Sequence, residues 1–213
     1  MRIRTRLATV ALLGSAALAT GCGGGGGGDP TPVTVTILST AALDGHIHST
    51  GEAQVGAAYY VAFGDYANAL GPVSGVRAFV SFDLASIPAG ATVVDATLTL
   101  FEKSTVGSPF TTLGDILLDH VVYGSVLEAG AYSRSGLGDA IATFPADVTP
   151  GPKTVSVTAA VAGDVGARPQ SQYRLRFAVE SDNDGDSDGI SYYSSGTATT
   201  TDERPRLVVT YLP

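Results

Sequence analysis

The sequence VRAFVSFDLASIPAGATVVDATLTLF, residues 76–101, contains two strand patterns joined by a short Pro/Gly connection. In each pattern every second side chain is apolar, and most of the intervening side chains are polar. Such a period of two is typical of antiparallel strands that are buried on one face. Between the patterns, residues 87–90 (IPAG) predict a turn. The side chains assigned to the buried faces are Ala78, Val80, Phe82, Leu84, Ala96, Leu98 and Leu100.

Other strand patterns occur on both sides of this stretch. In residues 173–180 (YRLRFAVE) the odd-numbered side chains are expected to face inward and the even-numbered ones outward. The remaining predicted strands are 33–38, at an edge, a short strand within 42–50, 59–63, 115–123, 154–158 and 207–211. Residues 124–152 are rich in glycine and predict loops, and Thr158 is expected to cap a short helical turn at 159–165. The pattern as a whole predicts an all-β, antiparallel sandwich with one short helical turn.

Composition limits the classes of partner. The chain has 213 residues and a formal net charge of −8. An acidic surface repels the phosphates of nucleic acids and disfavours strongly anionic polysaccharides, so we expect no nucleic-acid partner. The chain has 1 cysteine, which excludes a disulfide within it.

The N-terminal residues have the pattern of an export signal. Three arginines precede an apolar run from Leu7 to Ala19, which is too short to span a membrane as a helix. Residues 19–22 (ATGC) resemble a bacterial lipobox, in which Cys22 is lipidated. We therefore predict a signal peptide at 1–21, a lipidated cysteine with a Gly-rich tether at 22–32, and one domain at 33–213. This predicts a lipid-anchored protein of the bacterial cell envelope, at the outer membrane or cell surface; a secreted protein with a stray cysteine is the alternative.

Several segments resemble one family of β domains. Residues 79–101 (FVSFDLASIPAGATVVDATLTLF) look like the core signature of DNRLRE-type domains, also described as carbohydrate-binding module family 96. Residues 41–51 (AALDGHIHSTG), 154–165 (TVSVTAAVAGDV) and 204–211 (RPRLVVTY) resemble further segments of that family, in the same order. The resemblance implies a jelly-roll β-sandwich at microbial surfaces, and polysaccharide binding in some members.

An acidic stretch at residues 180–191 (ESDNDGDSDGIS) predicts a calcium site. Hard cations prefer oxygen ligands, and alternate carboxylates on a loop turned by glycine supply several of them. The acidic stretch is not an EF-hand, because Ser195 occupies the position where that motif has glutamate and because no helix pattern flanks the loop. Glu180, Asp202 and Glu203 are candidates to complete the ligand shell; a solvated acidic turn without metal is the alternative. The predicted ligands of a structural Ca²⁺ are Asp182, Asp184, Asp186 and Asp188.

The remaining polar motifs give weaker indications. His46 and His48 share one strand face and, with a third histidine such as His120, are able to ligate zinc. Asp119 and His120 are adjacent in a strand and point to opposite faces, so they do not form an acid–base pair. No nucleophile motif or paired-carboxylate pattern occurs, and we predict that the protein is not an enzyme.

Glycan binding requires exposed aromatic rings, because flat apolar rings stack on sugar faces. The chain has no tryptophan, so tyrosines must serve. The strongest candidates are Tyr192 and Tyr193, one of which must face outward, beside Arg174 and Arg176; further candidates are Tyr59, Tyr60, Tyr66 and Tyr132. The leading prediction is a non-catalytic module that binds polysaccharide. The alternatives are a structural or adhesive envelope module and, as an outsider, an enzyme acting on polysaccharide.

Overall fold

The computed structural model describes residues 30–68 and 71–213. Cys22, the predicted signal peptide and the tether up to residue 29 lie outside the described residues. In the described part the strands are β1 (Val33–Leu38), β2 (Gly45–His48), β3 (Ala53–Val55), β4 (Val61–Asn68), β5 (Gly71–Asp83), β6 (Thr92–Val106), β7 (Ile116–Val121), β8 (Gly138–Thr143), β9 (Gly151–Ser156), β10 (Gln170–Phe177), β11 (Asp188–Tyr192) and β12 (Arg206–Leu212). The α-helices there are α1 (Pro109–Thr112) and α2 (Thr158–Asp164), and 3-10 turns occur at Ala41–Leu43, Ala129–Ala131 and Thr201–Glu203.

The strands form one curled sheet that folds into two layers. One layer has the order β3-β2-β5-β10-β7-β8, and the other has the order β1-β12-β6-β9. Strands β4 and β11 pair with each other and join the two layers. Strand β4 also pairs with the start of β5 in one layer, and β11 also pairs with the end of β6 in the other. Every strand pairing in the described residues is antiparallel. The predicted all-β antiparallel sandwich is therefore confirmed.

The main core lies between the two layers. Strands β5 and β6 are not hydrogen-bonded neighbours in the described sheet, and their apolar faces meet across the core. All seven side chains assigned to these faces are buried, as the alternation predicts. In β10 the inward face is also confirmed for Tyr173, Leu175 and Phe177, whereas Val179 lies beyond the strand and is 45% exposed.

A second apolar cluster covers the opposite face of β5. Phe79 has no exposed surface and packs with Ile47 of β2 and with Val121 and Tyr123 at the end of β7. Strand β5 is therefore buried on both faces around Phe79, which corrects the prediction of a strand buried on one face. The covering segments are the β2–β3 hairpin and residues 121–131, which are distant from β5 in the sequence.

Four predicted local features differ from the structure. The strand predicted at 59–63 begins at Val61 and continues through Gly64 and Asp65 to Asn68. The segment predicted as loops contains β8. The predicted strand at 154–158 begins earlier, at Gly151, and ends at Ser156. Helix α2 forms where the helical turn is predicted, but Thr158 does not cap it: the backbone N–H of Ala96 donates to its hydroxyl oxygen at 2.9 Å.

Candidate functional sites

Aromatic rings from three segments meet on the outward face of the β6 layer. The ring of Tyr193 lies 6.0 Å from that of Tyr60 and 6.1 Å from that of Phe101, measured between ring centres. The ammonium group of Lys103 lies 4.8 Å from the centre of the Tyr60 ring, in a cation–π contact. Tyr59, next to Tyr60, is 40% exposed. The ring of Tyr59 lies edge to face with that of His46, 6.5 Å between ring centres. We call Tyr60, Phe101, Lys103 and Tyr193 the aromatic patch.

Strand alternation explains how the patch forms. Leu98 and Leu100 point into the core, so Phe101 and Lys103 stand on the outer side of the same strand. Tyr192 pairs with Glu102 across β11 and β6, and the next residue, Tyr193, turns outward. Sequence reasoning named the two tyrosines of the patch but missed Phe101 and Lys103, although the alternation of β6 already contained that signal.

Tyr192 itself is a core residue. It has no exposed surface, and its ring stacks on Phe63 with 5.8 Å between ring centres. The prediction that one member of the tyrosine pair faces outward is correct, and that member is Tyr193. Tyr192 offers no ring face to a sugar, so the structure contradicts its place among the ligand-binding residues.

The two arginines of β10 do not form an exposed binding surface. Arg174 is 5% exposed and donates two hydrogen bonds to Asp119 Oδ2, from Nε at 2.9 Å and from Nη2 at 2.7 Å. Arg176 Nε donates to the same oxygen at 2.9 Å. Burial raises the pKa of the Asp119 carboxyl, but the hydrogen bonds from Arg176, the Ala140 amide and Arg174 outweigh burial and lower it. The predicted exposure of Arg174 is therefore wrong, because residues 132–139 cover the outer face of β10.

The acidic loop brings together three of the four predicted calcium ligands. One carboxylate oxygen from each of Asp182, Asp184 and Asp188 lies within 4.8 Å of the others. Asp186 is exposed and does not belong to this group; its backbone N–H donates to Asp184 Oδ1 at 2.7 Å. Three carboxylates so close together repel one another, and a bound cation removes that repulsion.

A fourth carboxylate, which sequence reasoning missed, supports this loop from below. Asp65 on β4 has no exposed surface, and its oxygens accept hydrogen bonds from the backbone N–H groups of Asp182 at 3.3 Å and Asp188 at 3.1 Å. Glu180 and Glu203 do not complete the shell. Glu180 pairs with Arg77 at 3.0 Å, and Glu203 accepts hydrogen bonds from residues 199 and 200.

The three histidines divide between two places. His46 and His48 lie side by side on β2, with 5.5 Å between ring centres. His120 is separate: its Nε2 lies 2.8 Å from Oδ2 of Asp164, to which the hydroxyl of Ser171 also donates at 2.7 Å. The predicted opposite orientation of Asp119 and His120 is confirmed, since Asp119 binds the arginines of β10. A zinc site that uses all three histidines is contradicted by this separation.

A buried carboxylate, Asp44, precedes the histidine pair. Its Oδ2 accepts hydrogen bonds from the Ser39 hydroxyl at 2.6 Å and the Ser195 amide at 3.1 Å. Its Oδ1 is buried, and none of the described residues hydrogen-bonds to it. Burial raises the pKa of Asp44 to about 6, although the hydrogen bonds from Ser39 and Ser195 oppose this effect. Asp44 thus ties the start of β2 to the loop after β11.

Comparisons with known proteins do not place the chain in a family. No family description matches it, and no curated protein is found to be its relative. The resemblance to DNRLRE-type domains therefore stays a prediction. In the described part of the chain, the helices are all too short to cross a membrane.

Proposed function

We propose that the protein is a non-catalytic module that binds a polysaccharide through the aromatic patch. The observation that supports this proposal is the convergence of Tyr60, Phe101 and Tyr193, which come from three segments, on one outward face. The other tyrosines that the patterns suggested have contacts elsewhere. Tyr192 fills the core, Tyr132 contacts Arg77 and Glu180, Tyr59 lies against His46, and Tyr66 lies beside Ser191 and Asp65. The aromatic patch thus combines aromatic rings, which stack on sugar faces, with polar groups that hydrogen-bond to sugar hydroxyls.

The chemistry of the patch favours a neutral glycan. Aromatic rings pack on the apolar faces of sugar rings, while tyrosine hydroxyls and the Lys103 ammonium group hydrogen-bond to sugar hydroxyls. The formal net charge of −8 repels polyanions, and Lys103 is already engaged with Tyr60. We therefore expect neutral polysaccharides to bind more tightly than uronic-acid or sulfated polymers.

A glycan array and affinity electrophoresis test this proposal. We expect the protein to bind a neutral polysaccharide, and we expect Tyr193→Ala and Tyr60→Ala each to weaken binding at least about tenfold, since stacked rings carry much of the contact energy. Val126→Ala, at an apolar side chain that is 61% exposed and lies outside the patch, is the matched control and should bind normally.

The opposite result would favour the alternative function. Absence of binding to every glycan, or binding that both tyrosine variants leave unchanged, would contradict the proposal. A structural or adhesive envelope module without a specific glycan would then be the better interpretation.

We also propose that Cys22 is lipidated and anchors this module to the bacterial cell envelope. Support comes from the lipobox-like residues 19–22 and from the run of glycines that follows, a composition typical of tethers. Labelling with an alkyne fatty acid should mark the protein, and Cys22→Ala should abolish the label. A labelled Cys22→Ala variant would contradict the anchor.

A structural Ca²⁺ at Asp182, Asp184 and Asp188 is part of the same proposal. The support is the approach of the three carboxylates to within 4.8 Å and the position of Asp65 beneath them. Asp65 orients the loop through backbone N–H groups. One oxygen of each of the three carboxylates accepts a backbone N–H, from Asp184, Asp186 and Ser108 respectively, so a cation would bind through the remaining lone pairs of the carboxylates. The ion would stiffen the turn between β10 and β11 at the corner that joins the two layers.

A further inference from the structure

The β2–β3 hairpin presents two imidazoles on one side. His46 and His48 are two residues apart on β2, so their side chains project from the same face, opposite Ile47, which is fully buried. Their ring centres are 5.5 Å apart. Two imidazoles that share one tetrahedral metal ion through Nε2 have ring centres about 5 Å apart, given metal–nitrogen bonds of about 2 Å. The observed spacing therefore suits a shared ion.

Hydrogen bonds hold both rings by the same nitrogen. His46 Nδ1 lies 2.9 Å from the carbonyl oxygen of Tyr60. Because a carbonyl only accepts, Nδ1 carries the proton, and in the neutral ring Nε2 keeps its lone pair. His48 Nδ1 lies 2.9 Å from the hydroxyl of Ser74, which is able to play the same part. Histidines that bind a metal through one ring nitrogen usually donate the proton of the other ring nitrogen to such an acceptor.

Polar side chains of β3 lie next to the two histidines. Glu52 and Gln54 face the histidines from β3, where the Gln54 amide donates to Glu52 Oε1 at 3.0 Å. Among the described residues, the group of three carboxylate, thiol or imidazole side chains whose ligand atoms lie within 4.8 Å of one another is Asp182, Asp184 and Asp188, so no third such side chain joins the two histidines. The hairpin thus supplies two ligands.

We propose that His46 and His48 chelate one divalent first-row metal ion, Zn²⁺ or Cu²⁺, through their Nε2 atoms. Water or an oxygen of a bound ligand fills the remaining positions of the ion. Imidazole nitrogens select these borderline ions over Ca²⁺, so the site is chemically distinct from the acidic loop. The general order of divalent affinities makes Cu²⁺ the tighter of the two.

Copper titration followed by electron paramagnetic resonance tests the site. With one equivalent of Cu²⁺, the protein should give a spectrum with coupling to two imidazole nitrogens, and calorimetry should show weaker binding of Zn²⁺. His48 is half-buried, so His48→Gln is the first variant; it should lose one nitrogen coupling and weaken Cu²⁺ binding at least about tenfold. His46→Gln is the second variant, and circular dichroism verifies that each variant is folded.

The matched control removes oxygen ligands instead of nitrogen ligands. Asp184→Asn should leave the Cu²⁺ spectrum and affinity unchanged, because it lies in the acidic loop. A wild-type spectrum without imidazole coupling, or Cu²⁺ affinity that both folded histidine variants retain, would overturn the proposal. Loss of Cu²⁺ binding in Asp184→Asn would also overturn it, by assigning the ion to the carboxylates.

Discussion

Asp119 on β7 and Arg174 on β10 form a buried ion pair between neighbouring strands, on the face of the layer that points away from the main core. Two nitrogens of Arg174 donate to one carboxylate oxygen, at 2.9 and 2.7 Å. The third nitrogen, Nη1, donates to the carbonyl oxygens of Tyr132 at 3.2 Å and Arg134 at 2.7 Å. The pair therefore fastens the loop between β7 and β8 over the outer face of β10.

Removing the carboxylate should destabilise the fold strongly. We expect Asp119→Ala to lower the free energy of unfolding by about 3–5 kcal/mol, because Arg174 then loses its buried counter-ion and keeps only the exposed Asp139, 3.7 Å away. Urea unfolding measures the change. The matched control is Glu180→Gln, which breaks the ion pair with Arg77. The side chain of Glu180 is 47% exposed and that of Arg77 is 19% exposed, so we expect this variant to lower the free energy of unfolding by about 1 kcal/mol or less. Equal effects of the two variants would show that burial of the Asp119 pair carries no extra energy.

Asp44 should make the protein less stable as the pH rises. Its folded pKa of about 6 lies above 3.8, the ordinary value for an aspartate, so the folded state favours the protonated carboxyl. The stability that the protonated Asp44 adds to the folded state is fully present below pH 3.8 and is lost as the pH rises through about 6. A shift of this size corresponds to a penalty of about 3 kcal/mol at pH 8.

Asp44→Asn should remove that part of the pH dependence. We expect the variant to unfold at a higher temperature than the wild type at pH 8 and to lose this advantage at pH 4, as measured by circular dichroism. Asp83→Asn is the control, because Asp83 is exposed and accepts a hydrogen bond from the Ala85 amide at 2.9 Å. If the difference between Asp44→Asn and the wild type did not change with pH, the raised pKa would be refuted.

Calcium should stabilise the protein through the acidic loop. Ca²⁺ at about one hundred times its dissociation constant should raise the midpoint of thermal unfolding by about 5–10 °C, because binding to the folded state alone adds about 2.7 kcal/mol. Asp184→Asn should lose most of this increase. Asp202→Asn, at an exposed carboxylate outside the cluster, should retain it. A midpoint that responds to neither Ca²⁺ nor chelator would contradict the site.

The second apolar cluster should be part of the cooperative fold. Phe79 has no exposed surface and contacts Tyr123 edge to face, with 5.6 Å between ring centres. We expect Phe79→Ala to cost about 3–5 kcal/mol in the free energy of unfolding, the range for deleting a buried ring. Val126→Ala, at an exposed side chain, should change it by about 0.5 kcal/mol or less. A small effect of Phe79→Ala would mean that the segments over β5 unfold independently of the sandwich.

Local alternation in the sequence predicted a large part of the fold. The strands around residues 78–84 and 96–100 and the inward face of β10 follow directly from a side-chain period of two, because that period is a property of the extended backbone itself. The acidic loop was also recognisable, since its carboxylates are neighbours in the chain. Strand β8 was missed because its six residues, GDAIAT, lack a clear alternation and are held by pairing with β7.

Alternation separates the two faces of a strand, but only the tertiary structure decided what covers each face. The patterns placed Arg174 outward, and it does point away from the main core; residues 132–139 then bury it against Asp119. The same holds for Phe79, which a distant segment covers.

The sequence by itself thus determined the class of fold, the main core and the position of the acidic turn. The tertiary structure decided that Tyr193 rather than Tyr192 faces outward, that Tyr60 and Phe101 lie beside it, and that Asp65 supports the acidic loop. The physical reason is the range of the interactions involved. Backbone geometry repeats every two residues along a strand, whereas a site on a sandwich is assembled from strands whose order depends on pairing between distant parts of the chain.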